Sequence, residues 1–318
     1  MTMTARPSGV DRDAVAPPRR PSSPALRSRI ERRWGWLLLG PALVTVLVLT
    51  LVPIGRAVWT SLHQDSPLLP SKFTGVQNYV DVATRDRFLD TWVTTISFTA
   101  LSVALTTVMA LGAAALLNTA FRGSWLVKPI ALLPWAVPGV IAGVMWRWMF
   151  NDSWGPINAV LYTAGLTDEY VQWLGSPRLA FLSVTVAQSW SLLPLATIFL
   201  LAAYQHIPHE QYEAARIDGA STLQAYRYVT LPNIRTALII VVLYLTLMGL
   251  TAYDIVYSMT AGGPGSATTL ISYFTWAISF RELNFGQGAA LAVMIAAVSL
   301  VFVIALLKVL PKGALDDE

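Results

Sequence analysis

Of the 318 residues, 55% are hydrophobic and 13% are charged, whereas roughly a quarter of the residues in an ordinary soluble domain carry a charge. This composition excludes an ordinary soluble domain and predicts an all-α integral membrane protein. The 22 Lys and Arg residues do not cluster on a soluble face, so nucleic acid is not an expected partner. The absence of cysteine and the three scattered histidines predict neither a disulfide nor a metal site.

The N-terminal stretch is polar and basic. It is rich in Pro and Ser, and eight arginines lie between Arg6 and Arg33. Because few large apolar residues are present, residues 1–33 are predicted to form a disordered basic tail. Apolar sequence then begins at Trp34 and carries no charge before Arg56. About 20 apolar residues are enough to cross a bilayer, so we expect an uncleaved first membrane span here.

Five further apolar segments follow the first one. The six predicted spans cover residues 34–59, 92–120, 127–148, 179–205, 235–259 and 285–308 of a membrane domain at 34–310, and a short tail at 311–318 follows. Cytoplasmic segments of membrane proteins carry an excess of Lys and Arg. The distribution of these residues along the chain predicts that both termini lie in the cytoplasm.

Two apolar segments are irregular. The third span contains Pro134, Pro138, Gly139 and Gly143, and such helix breakers survive in a membrane only where neighbouring helices or a cavity satisfy the freed backbone groups. Both a packed kink and a mobile gate fit this pattern. Residues 266–280 are uncharged but too short to span comfortably, so they are predicted to form an outer-face or re-entrant helix.

A hydrophilic insert with its own helical pattern separates the fourth and fifth spans, at residues 206–233. Gly219 lies at a position where a helix can end with a residue in the left-handed conformation, which glycine adopts readily. Ser221 and Gln224 form a capping box that starts a second helix, which Pro232 is expected to end. The insert is therefore predicted to be a helix, a glycine elbow and a helix. Periodicity alone also allows an amphipathic connector lying on the membrane surface.

Most of this insert, from Glu213 to Pro232, reads EAARIDGASTLQAYRYVTLP. In order and spacing it resembles the EAA loop of permease subunits of ATP-binding-cassette (ABC) importers. Further similarity to the carbohydrate branch of these permeases lies at residues 73–75, 78–79, 133–134, 146–150, 253–257 and 262–264. The resemblance implies a type I ABC importer permease fold in which the EAA loop is a coupling helix that docks on an ATPase. The matching positions are Glu213, Ala214, Ala215, Asp218, Gly219, Ala220, Leu223 and Tyr226.

The resemblance also implies partners and a location. A second permease, two ATPase subunits and an extracytoplasmic substrate-binding (lipo)protein that delivers a sugar are expected, with the chain surrounded by lipid in the bacterial plasma (inner) membrane. None of the four lysines has the Gly-Lys-Ser/Thr context of a phosphate-binding loop, so ATP and Mg are expected on the ATPase chain. This chain is thus predicted to bind no cofactor and to be a transport subunit, not an enzyme. Trehalose is the suggested sugar, and glycerol phosphate remains an alternative.

Two other classes of function compete with this interpretation. An ion-coupled secondary transporter would carry ionisable residues near the bilayer midplane and internal repeats, whereas Asp254 is the only acid within a predicted span and lies toward its outer end. A scaffold role is a third interpretation. The polar residues and helix breakers of spans three to five count against it.

Polar and aromatic residues of spans four and five are the candidate sugar contacts. These are Gln188, Trp190, Tyr253, Asp254 and Tyr257. Tyr253 and Tyr257 are four residues apart, so they share one face of the predicted fifth helix. Their rings suit an apolar sugar face, and Asp254 adds a strong hydrogen-bond acceptor. Interfacial anchoring of the aromatic residues, helix–helix bonding by Gln188 and an ion pair from Asp254 to Arg281 are the structural alternatives.

Overall fold

The computed structural model describes residues 24–119 and 123–308, and helices make up most of this part of the chain. Fourteen α-helices occur in the described residues. They are α1 (Pro24–Ser61), α2 (Gln77–Ala83), α3 (Phe88–Asn118), α4 (Ser124–Ala136), α5 (Gly139–Met149), α6 (Pro156–Thr163), α7 (Pro177–Gln205), α8 (His209–Ile217), α9 (Thr222–Ala225), α10 (Leu231–Asn233), α11 (Arg235–Leu250), α12 (Asp254–Met259), α13 (Ile271–Trp276) and α14 (Phe285–Leu307). Two π-helical turns, Tyr226–Thr230 and Ala277–Arg281, extend α9 and α13.

A small antiparallel hairpin lies between α1 and α2. Its strands are β1 (His63–Ser66) and β2 (Leu69–Phe73). The buried amide of Asn78 on α2 donates hydrogen bonds of 2.8 Å to the carbonyl oxygens of Ser61 and His63. This side chain satisfies backbone groups at the end of α1 and so fixes the hairpin against α2.

Four helices in the described residues are long and apolar enough to cross a membrane, namely Leu39–Ser61 within α1, α3, α7 and α14. Two bent pairs raise the number to six if each pair counts as one span. In the first pair, Trp125–Ala136 and Gly139–Met149 meet at 102°. In the second, Thr222–Asn233 and Arg235–Leu250 meet at 71°. The number of predicted spans equals the upper of these two counts, but the second pair includes Thr222–Asn233, which lies in the predicted hydrophilic insert.

The fifth predicted span differs from the structure. Residues 235–259 were expected to form one continuous helix, but α11 ends at Leu250 and α12 begins only at Asp254. The hydroxyl of Ser272 donates to the carbonyl oxygen of Ala252 within this break. A side chain from a distant segment thus satisfies a backbone group that a continuous helix would have paired itself.

The predicted N-terminal tail is helical in part, and the rest of both predicted tails is not described by the structure. Residues 24–33, placed in the disordered tail by the sequence, are helical and belong to α1. They contain Ala, Leu, Arg and Glu, which favour helix and continue directly into the apolar segment. Residues 1–23 and the predicted tail at 311–318 lie outside the described residues.

In the segment at 266–280, residues 271–280 form α13 and most of the π-helical turn that follows it, whereas residues 266–270 are not helical. Ile271, Tyr273 and Ile278 in this region are buried. The N–H of Ile271 donates a 2.8 Å hydrogen bond to Thr95 Oγ1 on α3. The segment is therefore a short helix packed into the protein, and its position at the outer face of the membrane stays a prediction.

The core is built around α3 and α7. The inward face of α3 carries small side chains, among them Thr95, Ser102 and Ala110, all buried. Small residues permit close approach of membrane helices. One core cluster joins α3, α7 and α11, and a second joins α3 and α7 to α12 and α13. These contacts place the middle of α7 beside the break between α11 and α12.

Candidate functional site

Helix α5 packs closely against α12 through two glycines. A β-carbon built on Gly139 would lie 2.7 Å from Oδ2 of Asp254, and one built on Gly143 would overlap the hydroxyl of Ser258. Real β-carbons essentially never come within 3.0 Å of such atoms. Glycine is thus required at both positions for α12 to approach α5 this closely. Pro138 precedes α5 with φ −56° and ψ 138°, which turns the chain out of α4.

A polar cavity of about 270 Å³ lies between α4, α5, α7 and the break between α11 and α12. Its polar lining groups belong to Gln188, Ser191, Thr251, Tyr253 and Asp254. The remaining lining residues are Pro134, Trp135, Val137, Gly139, Leu192, Met248, Ala252 and Ile255. Helix breaks at membrane depth are tolerated where they line a cavity, and both breaks here do so. The arrangement offers an amide, hydroxyl groups and a carboxylate to a ligand at the two helix breaks.

Three of the five candidate pathway residues meet at this cavity, namely Gln188, Tyr253 and Asp254. Trp190 does not line it. Its ring instead packs edge-on against Trp146, with the ring centroids 5.8 Å apart. Tyr257 is also outside the lining, although its ring stacks on that of Tyr253 with a centroid separation of 5.3 Å.

Tyr253 and Tyr257 lie side by side, but they do not share the continuous helix that the sequence predicts. Their rings stack, yet Tyr253 precedes α12 with φ −133° instead of lying within a continuous helix. The rings of Tyr273 and Trp276 join those of Tyr253 and Tyr257 in one aromatic cluster. The ring centroid of Trp276 lies 5.0 Å from that of Tyr257 and 5.6 Å from that of Tyr273. Sequence reasoning missed Tyr273 and Trp276. Their spacing of three in an uncharged segment was the available signal.

The suggested ion pair between Asp254 and Arg281 is absent from the described residues. Arg281 instead lies over aromatic rings, with its guanidinium carbon 5.1 Å from the centroid of Trp276 and 6.0 Å from that of Tyr273. A planar guanidinium gains from such stacking. The ion pair that the described residues do contain joins Arg85 to Glu282 at 2.9 Å. Asp254 therefore lines the cavity without a partner cation in this part of the chain.

The hydrophilic insert at 206–233 contains the predicted elbow. After α8, Gly219 adopts φ +78°, a conformation that side chains other than glycine rarely take. The capping box is also present, since the Ser221 N–H donates to Gln224 Oε1 at 2.7 Å and the Gln224 N–H donates to Ser221 Oγ at 3.4 Å. The helical run that begins after Ser221 ends at Asn233, one residue beyond the predicted stop at Pro232.

The candidate coupling residues fall into two groups by exposure. Glu213, Ala214, Asp218, Gly219 and Leu223 are exposed, whereas Ala215, Ala220 and Tyr226 are half-buried.

Tyr226 packs toward the interior, whereas Leu223 is 76% exposed. Tyr226 packs against the cluster formed by α3, α7 and α11. The nearby Tyr212 and Thr230 hydroxyls share a 2.9 Å hydrogen bond. Tyr226 thus ties the insert to the membrane domain. The sequence analysis does not name Ile217 and Tyr228 as candidate coupling residues, although they are 86% and 71% exposed.

Their large side chains in a hydrophilic insert could have identified them.

Comparison with known proteins assigns the family. Residues 106–311 match the family described as binding-protein-dependent transport system inner membrane component. The trehalose/maltose transport system permease protein MalF of Thermococcus litoralis is 38% identical over 88% of this chain and 94% of the relative. The sulfoquinovosyl glycerol transport system permease protein SmoG of Agrobacterium fabrum is 33% identical over 83% of this chain and 86% of the relative. The sn-glycerol-3-phosphate transport system permease protein UgpA of Salmonella typhi is 32% identical over 86% of this chain and 92% of the relative.

A solved structure shows the same fold. It is a chain of a bacterial ABC transporter involved in the import of the acidic polysaccharide alginate. The two chains superpose with a TM-score of 0.75 at 21% identity, over 90% of this chain and 98% of the other. The chain therefore belongs to the inner membrane permeases of binding-protein-dependent ABC importers, as a transport subunit with the type I importer permease fold.

Proposed function

We propose that this chain, together with a second permease subunit, forms the translocation pathway of an importer for a neutral disaccharide such as trehalose. The observation that carries the proposal is the polar cavity beside the two helix breaks. The 38% identity to a trehalose/maltose permease supports the choice of sugar. A substrate-binding protein outside the membrane delivers the sugar to this pathway.

The cavity has the chemistry that a sugar needs. Gln188 offers an amide, Ser191 a hydroxyl and Asp254 a carboxylate, and all three can hydrogen-bond to sugar hydroxyls. The rings of Tyr253 and Trp135 supply flat apolar surface for the faces of a sugar ring. A volume of about 270 Å³ lies slightly below the roughly 300–1,000 Å³ typical of small-molecule sites. A second permease subunit facing the cavity would complete it.

The energy source is assigned to a partner. Two ATPase subunits bind ATP and Mg, and they dock on the insert at 206–233, called the EAA loop from here on. The exposed carboxylates of Glu213 and Asp218 suit a basic cleft. The exposed side chains of Ile217 and Leu223 suit an apolar contact at its centre. This arrangement requires the EAA loop and both chain termini to lie in the cytoplasm.

Reconstitution tests the proposal. The chain is assembled in liposomes with its second permease, the ATPase subunits and the binding protein, and uptake of radiolabelled trehalose is measured. We expect uptake that requires internal ATP and external binding protein. Competition by excess maltose and glycerol phosphate identifies the substrate range. Uptake driven by an ion gradient without ATP would instead support a secondary transporter, and uptake of glycerol phosphate alone would replace the sugar.

A further inference from the structure

We infer that Asp254 acts as a charge filter in the polar cavity, admitting uncharged polyhydroxylated solutes and disfavouring anionic ones such as phosphorylated sugars. Gly139 is the residue that positions its carboxylate. The inference rests on the proposed sugar pathway and adds a specificity-determining residue to it.

The position of the carboxylate is set by the contact between α5 and α12. A β-carbon on Gly139 would lie 2.7 Å from Asp254 Oδ2 and 2.8 Å from Asp254 Cβ. Both residues line the cavity. Any side chain at position 139 would therefore have to displace the carboxylate or separate the two helices.

The charge of this carboxylate is not balanced at the cavity. The lining contains no Lys, Arg or His. Arg281, the basic residue closest in sequence to the aromatic cluster, stacks on Trp276 and does not line the cavity. Among the described residues the ion-paired acid is Glu282, which binds Arg85. The cavity wall thus presents one negative charge.

Electrostatics gives the expected selectivity. Two like charges roughly 7 Å apart, at an effective dielectric constant of about 20, repel enough to weaken binding by roughly tenfold to a hundredfold. A neutral hydroxyl gains in the same place, because hydrogen bonds to a carboxylate are about twice as strong as those between neutral groups. The same residue therefore favours a neutral sugar and opposes its phosphorylated form.

The test compares two ligands that differ by one phosphate. Equilibrium binding of trehalose and of trehalose 6-phosphate is measured on the complete transporter in nanodiscs, without the binding protein. We expect wild type to bind trehalose at least tenfold more tightly than trehalose 6-phosphate. Asp254→Asn should reduce this ratio by about tenfold. The matched control Glu169→Gln removes one exposed carboxylate from the loop between α6 and α7 and should leave the ratio unchanged.

Two further measurements separate positioning from folding. Gly139→Ala should lower the ratio of the trehalose affinity to the trehalose 6-phosphate affinity. A loss of folded protein would reduce the binding of both ligands equally and would leave this ratio unchanged. Raising the salt concentration should narrow the wild-type ratio, since salt screens the repulsion.

The outcomes are distinct. If wild type binds both sugars equally, or if Asp254→Asn leaves the ratio unchanged, the charge filter is overturned while sugar import stands. If neither sugar binds the wild-type transporter, the proposed sugar site falls and the filter falls with it.

Discussion

The EAA loop and the polar cavity are held in shape by different kinds of contact. The elbow of the loop is stabilised by neighbours along the chain, such as the capping box between Ser221 and Gln224. The cavity is held by segments far apart in sequence, such as Gly139 against Asp254. A change at the loop surface should therefore impair partner binding with little effect on folding. A change at the cavity wall should affect packing and ligand contact together.

The largest expected effect is a loss of thermal stability at the close contact between α5 and α12. Gly143→Ala places a methyl group onto the Ser258 hydroxyl, and overpacking of this kind costs about 1–3 kcal/mol. The melting temperature of the purified chain in detergent should fall. Gly112→Ala is the matched control, because a β-carbon at that α3 glycine meets nothing within 4 Å. Equal melting temperatures for the two variants would show that α5 and α12 are not closely packed.

The next effect concerns the elbow of the EAA loop. Gly219→Val forces a β-branched residue into φ +78°, at a cost of roughly 1–2 kcal/mol. The variant should insert normally yet co-purify with less ATPase than wild type. Gly219→Asn should retain more, because Asn tolerates the left-handed region better than other side chains. Full recovery of the ATPase with the Val variant would contradict the role of the elbow.

These two regions also differ in how far the sequence predicts them. Gly219, Ser221 and Gln224 were predicted correctly because helix stops and caps depend on residues a few positions apart. The break between Leu250 and Asp254 was not predicted. No proline or charge marks it between the two helices, and the hydroxyl that satisfies the Ala252 carbonyl comes from Ser272, twenty residues away.

The candidate site shows the same limit. The side-chain chemistry of Gln188, Tyr253 and Asp254 predicts sugar contacts, and the fold brings these residues to one cavity. The same chemistry predicts a contact for Trp190, but this residue packs on Trp146 instead. Side-chain type indicates what a residue can bind. Its direction depends on helix rotation, which uniformly apolar helices do not reveal.

A smaller effect is expected for ligand contact at the cavity. Asp254→Asn replaces a charged acceptor by a neutral one, which should weaken trehalose uptake by about tenfold, since hydrogen bonds to charged groups contribute about 1.5–3 kcal/mol. Complex yield should be unchanged because Asp254 has no ion pair within the described residues. The readout is the KM of uptake in liposomes. A loss of assembly with unchanged KM would make the residue structural.

The smallest expected effect is the difference in KM between a variant of a residue that lines the cavity and a variant of a residue behind it. Tyr253→Ala removes a ring that lines the cavity, whereas Tyr257→Ala removes one that stacks behind it. We expect a several-fold rise in KM for the first variant and a rise of at most about twofold for the second. Equal changes in KM would mean that the whole aromatic cluster, not the cavity wall, contacts the sugar.

We propose that the EAA loop couples this permease to ATP hydrolysis, and one measurement tests this coupling most directly. Sugar-stimulated ATP hydrolysis by the complete transporter is compared for Glu213→Lys and Glu210→Lys, two exposed acids on α8 of which only Glu213 belongs to the matched motif. Substitutions at exposed positions usually change stability by about 0.5 kcal/mol, and a charge in the first turn of a helix contributes about 0.3–1 kcal/mol, so both variants should fold. We predict that Glu213→Lys loses the stimulation and that Glu210→Lys retains it. Full stimulation with Glu213→Lys would contradict the coupling role of the loop.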